Sequence, residues 1–131
     1  MPILTRDQIL TADDILSEVV PVPEWGGEVR VRGLTGAERD RYEASLIEIQ
    51  GKRRQLKLHN VRARLVSLAA VDEEGRRLFD DRDVEALGKK SAAALERVAS
   101  AAQRLSGLTD ADVEELAKNS PAGQSEGSTS G

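Results

Sequence analysis

The sequence predicts an α+β domain that is predominantly helical, with one N-terminal β-hairpin packed on four to five short helices and a disordered C-terminal tail. Three observations support this. Residues 28–32 alternate strictly between valine and charged side chains. From Leu34 onward, apolar residues recur at spacings of three and four. After Asn119 no apolar residue larger than alanine remains. The chain has 131 residues, which suits one domain. With aromatics at only 2%, namely Trp25, Tyr42 and Phe79, its core must be aliphatic.

Residues 1–18 read as a flexible N-terminal arm with a short helical stretch. Thr11 followed by Asp14 offers a helix start, with Ile15 and Leu16 as points of attachment. Residues 19–118 form the predicted folded domain, and they open with a hairpin over 19–32. Val19, Val20 and Val22 make its first strand and residues 28–32 its second, with Gly26-Gly27 supplying the turn. Pro21 and Pro23 confine the first strand to a sheet edge.

Thr35 and Glu38 form a capping box that starts a helix running to about Gln50, with Tyr42, Leu46 and Ile49 on one face. Gly51 ends it. A second helix is expected from about Arg53 to Ala70, with Leu58, Val61, Leu65 and Leu68 as its apolar stripe. Asp72-Glu73-Glu74-Gly75 is a turn, residues 76–79 are extended, and Asp80 or Asp81 caps a short helix holding Val84 and Leu87. Ser91 opens an alanine-rich helix over 91–106 with Leu95, Val98, Ala99, Ala102 and Leu105 inward, stopped by Gly107. Thr109 with Asp112 starts a last helix, with Val113 and Leu116 inward, that ends at Asn119. Residues 119–131 are the expected disordered Gly/Ser-rich tail.

The formal charge of -4 is unevenly distributed. Residues 51–70 hold six cations and no anion, whereas every other stretch is acidic on balance. This basic patch comprises Lys52, Arg53, Arg54, Lys57, Arg62 and Arg64. It faces either nucleic-acid phosphates or the acidic remainder of the fold. No aromatic is interleaved for base stacking, so nucleic acid is the weaker reading.

Equipment for catalysis is sparse. With no cysteine, there is no disulfide, no thiolate metal site and no cysteine nucleophile. The single histidine, His59, has no titrating neighbour in sequence, and the Asp72–Gly75 turn lacks the alternating ligands of a calcium loop. No serine sits in a glycine-flanked elbow and no glycine-rich stretch has phosphate-loop spacing. The reading is therefore a non-enzyme without metal or cofactor. The longest nearly apolar run, residues 65–71, is too short to span a membrane, and the acidic first twenty residues are no secretory signal. Trp25, at the hairpin tip, is either a lid on the core or an anchor for a partner. Leu108, just past a helix stop, poses the same choice.

Two stretches carry a resemblance: VPVPEWGGEVRVRGLTGAERDRYE over residues 20–43, and VSLAAVDEEGRRLFDDRDVEALGKKSAAALERVASAAQRLSGL over residues 66–108. In this order they resemble the tail assembly chaperones of long-tailed bacteriophages, especially those of actinobacterial hosts. The resemblance implies a non-catalytic protein of the host cytoplasm, absent from the mature virion, that binds the tape measure protein. It would keep that protein soluble and help recruit tail tube subunits. It also implies a programmed frameshift near the end of the short form, whose longer product engages the tube protein. A holder of long amphipathic helices needs apolar grooves rimmed by charge. Exposed members of Trp25, Tyr42, Leu46, Ile49, Leu105 and Leu108 are the expected groove residues, and self-association is a further possibility. The alternatives are a small nucleic-acid-associated phage protein using residues 52–64, and a structural head–tail connector or tail terminator.

Overall fold

A computed structural model describes residues 1–108. The predicted last helix from Thr109 to Asn119 and the tail after it lie outside the described residues. Strands β1 (Ser17–Val22) and β2 (Gly27–Arg32) pair antiparallel with Val20 opposite Val29 and Glu18 opposite Val31. That register puts Val20, Val22, Val29 and Val31 on one face, and Val22 and Val31 lose all contact with solvent. The tip is a single 3-10 turn, Pro23–Trp25, closed by Gly26 at φ +79. β1 is an edge strand, as Pro21 requires, while β2 is central because β5 (Ala70–Val71) pairs with its other side.

The valine face is covered by α5 (Ala92–Leu105), and α3 (Val61–Ala69) packs against α5 in turn. α5 presents Ala94, Leu95, Val98, Ala99, Ala101 and Ala102, all buried, and Ser91 caps its first turn by accepting from the Ala94 amide at 3.2 Å. α3 buries Ala63, Leu65, Val66, Leu68 and Ala69. Alanines on both helices let the backbones approach closely, and each large aliphatic chain removed from water contributes about 1.5–3 kcal/mol. α5 ends as the predicted glycine stop requires. Gly107 has φ +74 and the Leu108 amide reaches back to the Gln103 carbonyl at 2.8 Å, so Leu108 folds under as the buried apolar closure of the helix end.

Two arginines seven residues apart on α5 fasten it to the first hairpin. Arg97 donates two hydrogen bonds to Glu24 at the tip, and Arg104 donates two to Glu18 at the root. Just beyond the second pair, Gly33 lies so close to α5 that a Cβ there would sit 2.6 Å from the Leu105 carbonyl oxygen. The adjoining Leu34 amide donates to Ser106 Oγ at 2.8 Å.

Three helix assignments differ from expectation. In the N-terminal arm, α1 spans Arg6–Thr11 and starts at Thr5, whose reciprocal bonds with Gln8 form a capping box. Thr11 thus ends a helix instead of starting one. The helix capped by Thr35, α2, spans Gly36–Ser45 and stops five residues short of Gln50. The expected helix from Arg53 begins only at Val61, after Asn60 adopts φ +56. The stretch between them is a second hairpin, β3 (Ile47–Gln50) with β4 (Arg53–Leu56), turning at Gly51 with φ +63. Residues 46–49 fit a helical stripe and an alternating strand equally well, because Leu46 and Ile49 are three apart while Ile47 and Ile49 are two apart. Leu46 settles the choice: its side chain is 1% exposed in the core, and its carbonyl accepts from the Lys57 amide where the hairpin closes. Leu58, expected in a buried stripe, is 48% exposed on the loop before α3.

The Asp72–Gly75 turn forms as predicted, with the Asp72 carboxylate accepting from the Glu74 and Arg76 amides at 2.8 and 3.0 Å. Asp80 caps the following 3-10 turn, Asp81–Asp83, which leads into α4 (Val84–Gly88).

Arg32 and Glu38 join the end of β2 to the start of α2 through two bonds of 2.7 Å, with both side chains only 17% exposed. The Arg32 guanidinium, with the Thr35 capping bonds, holds the Glu38 carboxyl down at about 2. A carboxyl depressed on folding adds stability above its unfolded value, near 4.5, and that stability drains away as pH falls toward 2. Glu38→Gln should therefore lower stability at pH 7 by about 1–3 kcal/mol and flatten the loss between pH 4.5 and 2 in urea titrations. In the same assay, Gly33→Ala should cost about 1–3 kcal/mol through the clash with α5. Gly27→Ala, which meets nothing within 4 Å, should be milder.

Candidate functional site

The second hairpin does more than shorten two helices. It stands beside the C-terminal end of α2 and leaves an open trench between itself, α2, α3 and α4. The trench has two adjoining parts that share Ser45, Arg64, Val84 and Glu85 as walls. One part, about 330 Å³, lies over Tyr42 and Leu68 with Arg41 and Asp81 at its rim. The other, about 480 Å³, runs along Ile47 and Ile49 toward Lys57 and His59. The floor is apolar and the rim carries both signs of charge.

Arg64 holds this geometry. Its Nη1 donates to the Ser45 carbonyl and to Ser45 Oγ, the latter at 3.0 Å, and its Nη2 donates to the carbonyls of Lys57 and His59, both at 2.7 Å. One guanidinium thus ties the last turn of α2 to the loop that enters α3. Burial lowers its pKa, and burial likewise raises that of the Tyr42 hydroxyl beneath it. The Ser45 hydroxyl donates in turn to the Tyr42 carbonyl at 2.6 Å.

The six expected groove residues separate. Tyr42 and Ile49 both line the trench, Tyr42 as floor at 2% exposure and Ile49 as an open edge at 68%. Leu46 and Leu108 are core residues, and Leu105 is half-buried beside the end of β2. Trp25 lines a separate apolar pocket of about 240 Å³ with Phe79, Ala86 and Leu87, on the other side of α4. Its indole Nε1 is buried without a hydrogen-bond partner among the described residues. The half-buried Ile47, which the helical reading did not single out, and Val84, expected only as a packing residue of its short helix, complete the trench. The alternation Ile47-Glu48-Ile49-Gln50 ahead of a glycine was the signal for the first of these.

The basic patch also divides. Arg64 is used internally, and Arg62 pairs with Glu96 on α5, where Ser100 supports the same carboxylate at 2.9 Å. Lys52, Arg53, Arg54 and Lys57 lie exposed on or beside the second hairpin. His59 faces Glu85 across 3.5 Å at the trench mouth, and the Asn60 amide bonds the same carboxylate at 3.1 Å. Among the described residues, no group of three or more acidic or histidine side chains is placed to hold a metal ion, and no helix is long and apolar enough to cross a membrane.

Comparison with known proteins agrees with this architecture. The sequence matches the family described as phage tail assembly chaperone over residues 6–119. Among solved structures, the fold is similar to that of the bacteriophage HK97 tail assembly chaperone, with a TM-score of 0.54 and 20% identity, over 76% of this chain and 94% of that one. At that identity the likeness establishes a shared α+β fold. No curated protein sequence matches the chain significantly.

Removing the Arg64 guanidinium takes the shared donor from the half-buried Ser45 carbonyl and from those of Lys57 and His59, so Arg64→Ala should cost about 1–3 kcal/mol in chemical denaturation. Arg53→Ala, on the exposed hairpin, should stay within about 0.5 kcal/mol of wild type.

Proposed function

The chain is a member of the phage tail assembly chaperone family, and from that premise we propose that it binds the tape measure protein in the trench beside the second hairpin. The observation that carries the reading is an apolar floor of Tyr42, Ile47, Leu68 and Val84 bordered by side chains of both charges. A tape measure protein is a long amphipathic helix whose apolar stripe needs cover until the tail tube encloses it. An apolar channel selects for such a stripe, and a rim of mixed sign accepts many registers of the flanking charges. In this role the protein is not an enzyme. It keeps its client soluble in the host cytoplasm and helps recruit tail tube subunits, by way of a longer frameshifted product. It then leaves before the virion is complete.

The test is co-expression with the tape measure protein of the same phage, scoring how much client stays soluble and co-purifies. Wild type should raise the soluble client at least severalfold. Ile49→Glu and Val84→Glu should abolish most of that gain while keeping the far-ultraviolet circular dichroism of a folded chain. Client that is equally soluble with the two variants would sink the trench as its site. Abundant DNA in the purified complex at moderate salt, lost on replacing Arg53 and Arg54, would favour the nucleic-acid reading instead.

A further inference from the structure

The second hairpin is attached to the body at one end only. None of residues 47–57 is buried, and β3 and β4 form a sheet of their own, whereas the first hairpin gains a third strand and the cover of α5. A two-stranded ladder without a buried side chain has little to hold it in one place, because moving it takes little apolar surface into or out of water. Its footing is a short line of contacts at the base. Leu46, in the core, roots the first strand, and its carbonyl accepts from the Lys57 amide. Arg64 binds Ser45 on one stem and Lys57 and His59 on the other. Asn60 pins the second stem to α4: its side-chain amide donates to Glu85 at 3.1 Å, and its Oδ1 fills the space that a Cβ on Gly88 would need. Beyond that line the chain runs out and back through β3 and β4, and there Ile47 and Ile49 form one wall of the trench. The facing wall, Val84 and Glu85 of α4, belongs to the body.

We propose that the second hairpin is a hinged wall, swinging as a unit about the Arg64 clamp and so setting the width of the trench. The ladder from Ile47 opposite Leu56 to Gln50 opposite Arg53 keeps the strands together, so the rotation is taken up at the base. Hinges are a few residues at element ends that absorb a change in backbone angles. Residues 57–59 fit that description, since they lie outside any helix or strand and Leu58 is exposed. On the reading proposed above, on which this consequence rests, the wall stands open to admit an amphipathic helix and then closes Ile49 on its apolar stripe. Ile49 is open to water, so closure buries apolar surface only when a stripe is there to meet it. The client thus drives closure, and its departure lets the wall swing back.

The experiment uses the full chain, first without any tail protein, so its outcome is separable from the chaperone reading. Because the chain has no cysteine, nitroxide labels can be placed on the hairpin and the body with Arg53→Cys and Glu73→Cys. Glu73→Cys with Ala93→Cys gives a control pair within the body, and all three positions are exposed. In double electron–electron resonance, hairpin-to-body distances should spread about twice as widely as those of the control. Arg64→Ala should broaden them further, and Arg64→Lys should do so more mildly, with the control pair unchanged. Amides of residues 47–56 that bond across the strands should exchange with deuterium more slowly than those of residues 1–4, as in a hairpin that moves whole. A hairpin distribution as narrow as the control overturns the inference. So does one that neither Arg64 variant alters, or cross-strand amides that exchange as fast as the arm. Co-purified tape measure protein should narrow the hairpin distribution to the width of the control, and bound client that leaves it broad refutes closure. Client that fails to bind counts against the chaperone reading alone, because the hinge is decided in the free chain.

Discussion

The fold depends on how closely α5 approaches α3 and the first hairpin. With only three aromatics in 131 residues, the core has few large side chains to span wide gaps, so stability must come from short interaxial distances and many aliphatic contacts. Ala94, Ala99, Ala101 and Ala102 on α5 face a sheet of valines and a helix carrying Ala63 and Ala69. Small residues on every side let backbones approach and bring dispersion contacts within range. Gly33 is the sharpest expression of that constraint, since the end of β2 touches the backbone of α5 where no side chain fits. The arginine pairs at Glu18 and Glu24 then set the rotation of α5 against the hairpin; being largely exposed, they contribute orientation more than energy.

This packing leaves the other side of α3 free to build a surface feature. α2 contacts the body through Tyr42 and its C-terminal Leu46, and the chain then turns outward as a second hairpin instead of continuing as a helix. Arg64 fixes the outward turn by donating to carbonyls on both sides of it. The basic segment is therefore not one feature. Part is internal mortar, part an ion pair to α5, and part an exposed cationic edge of the second hairpin. A trench with an apolar floor and a rim of both charges suits a partner that is itself amphipathic, which is the chemistry of the client proposed for this family member.

Features set by local chemistry were legible in the sequence. The valine alternation, Gly26, the Thr35–Glu38 capping box, the Asp72 turn, the Ser91 cap and the Gly107 stop each express a preference of a few consecutive residues, and each stands where its residues place it. The aliphatic core and the family resemblance likewise followed from composition and residue order. What tertiary structure decided was every choice between near-equal local states. Residues 46–58 satisfy a helical stripe and a strand pair alike, and only the burial of Leu46 and the reach of Arg64 select the hairpin. Whether Tyr42 and Leu108 lie in the core or on a surface is likewise invisible to periodicity. An apolar face looks the same in sequence whether its own chain or a partner covers it, because burial belongs to the pair of surfaces and not to either one.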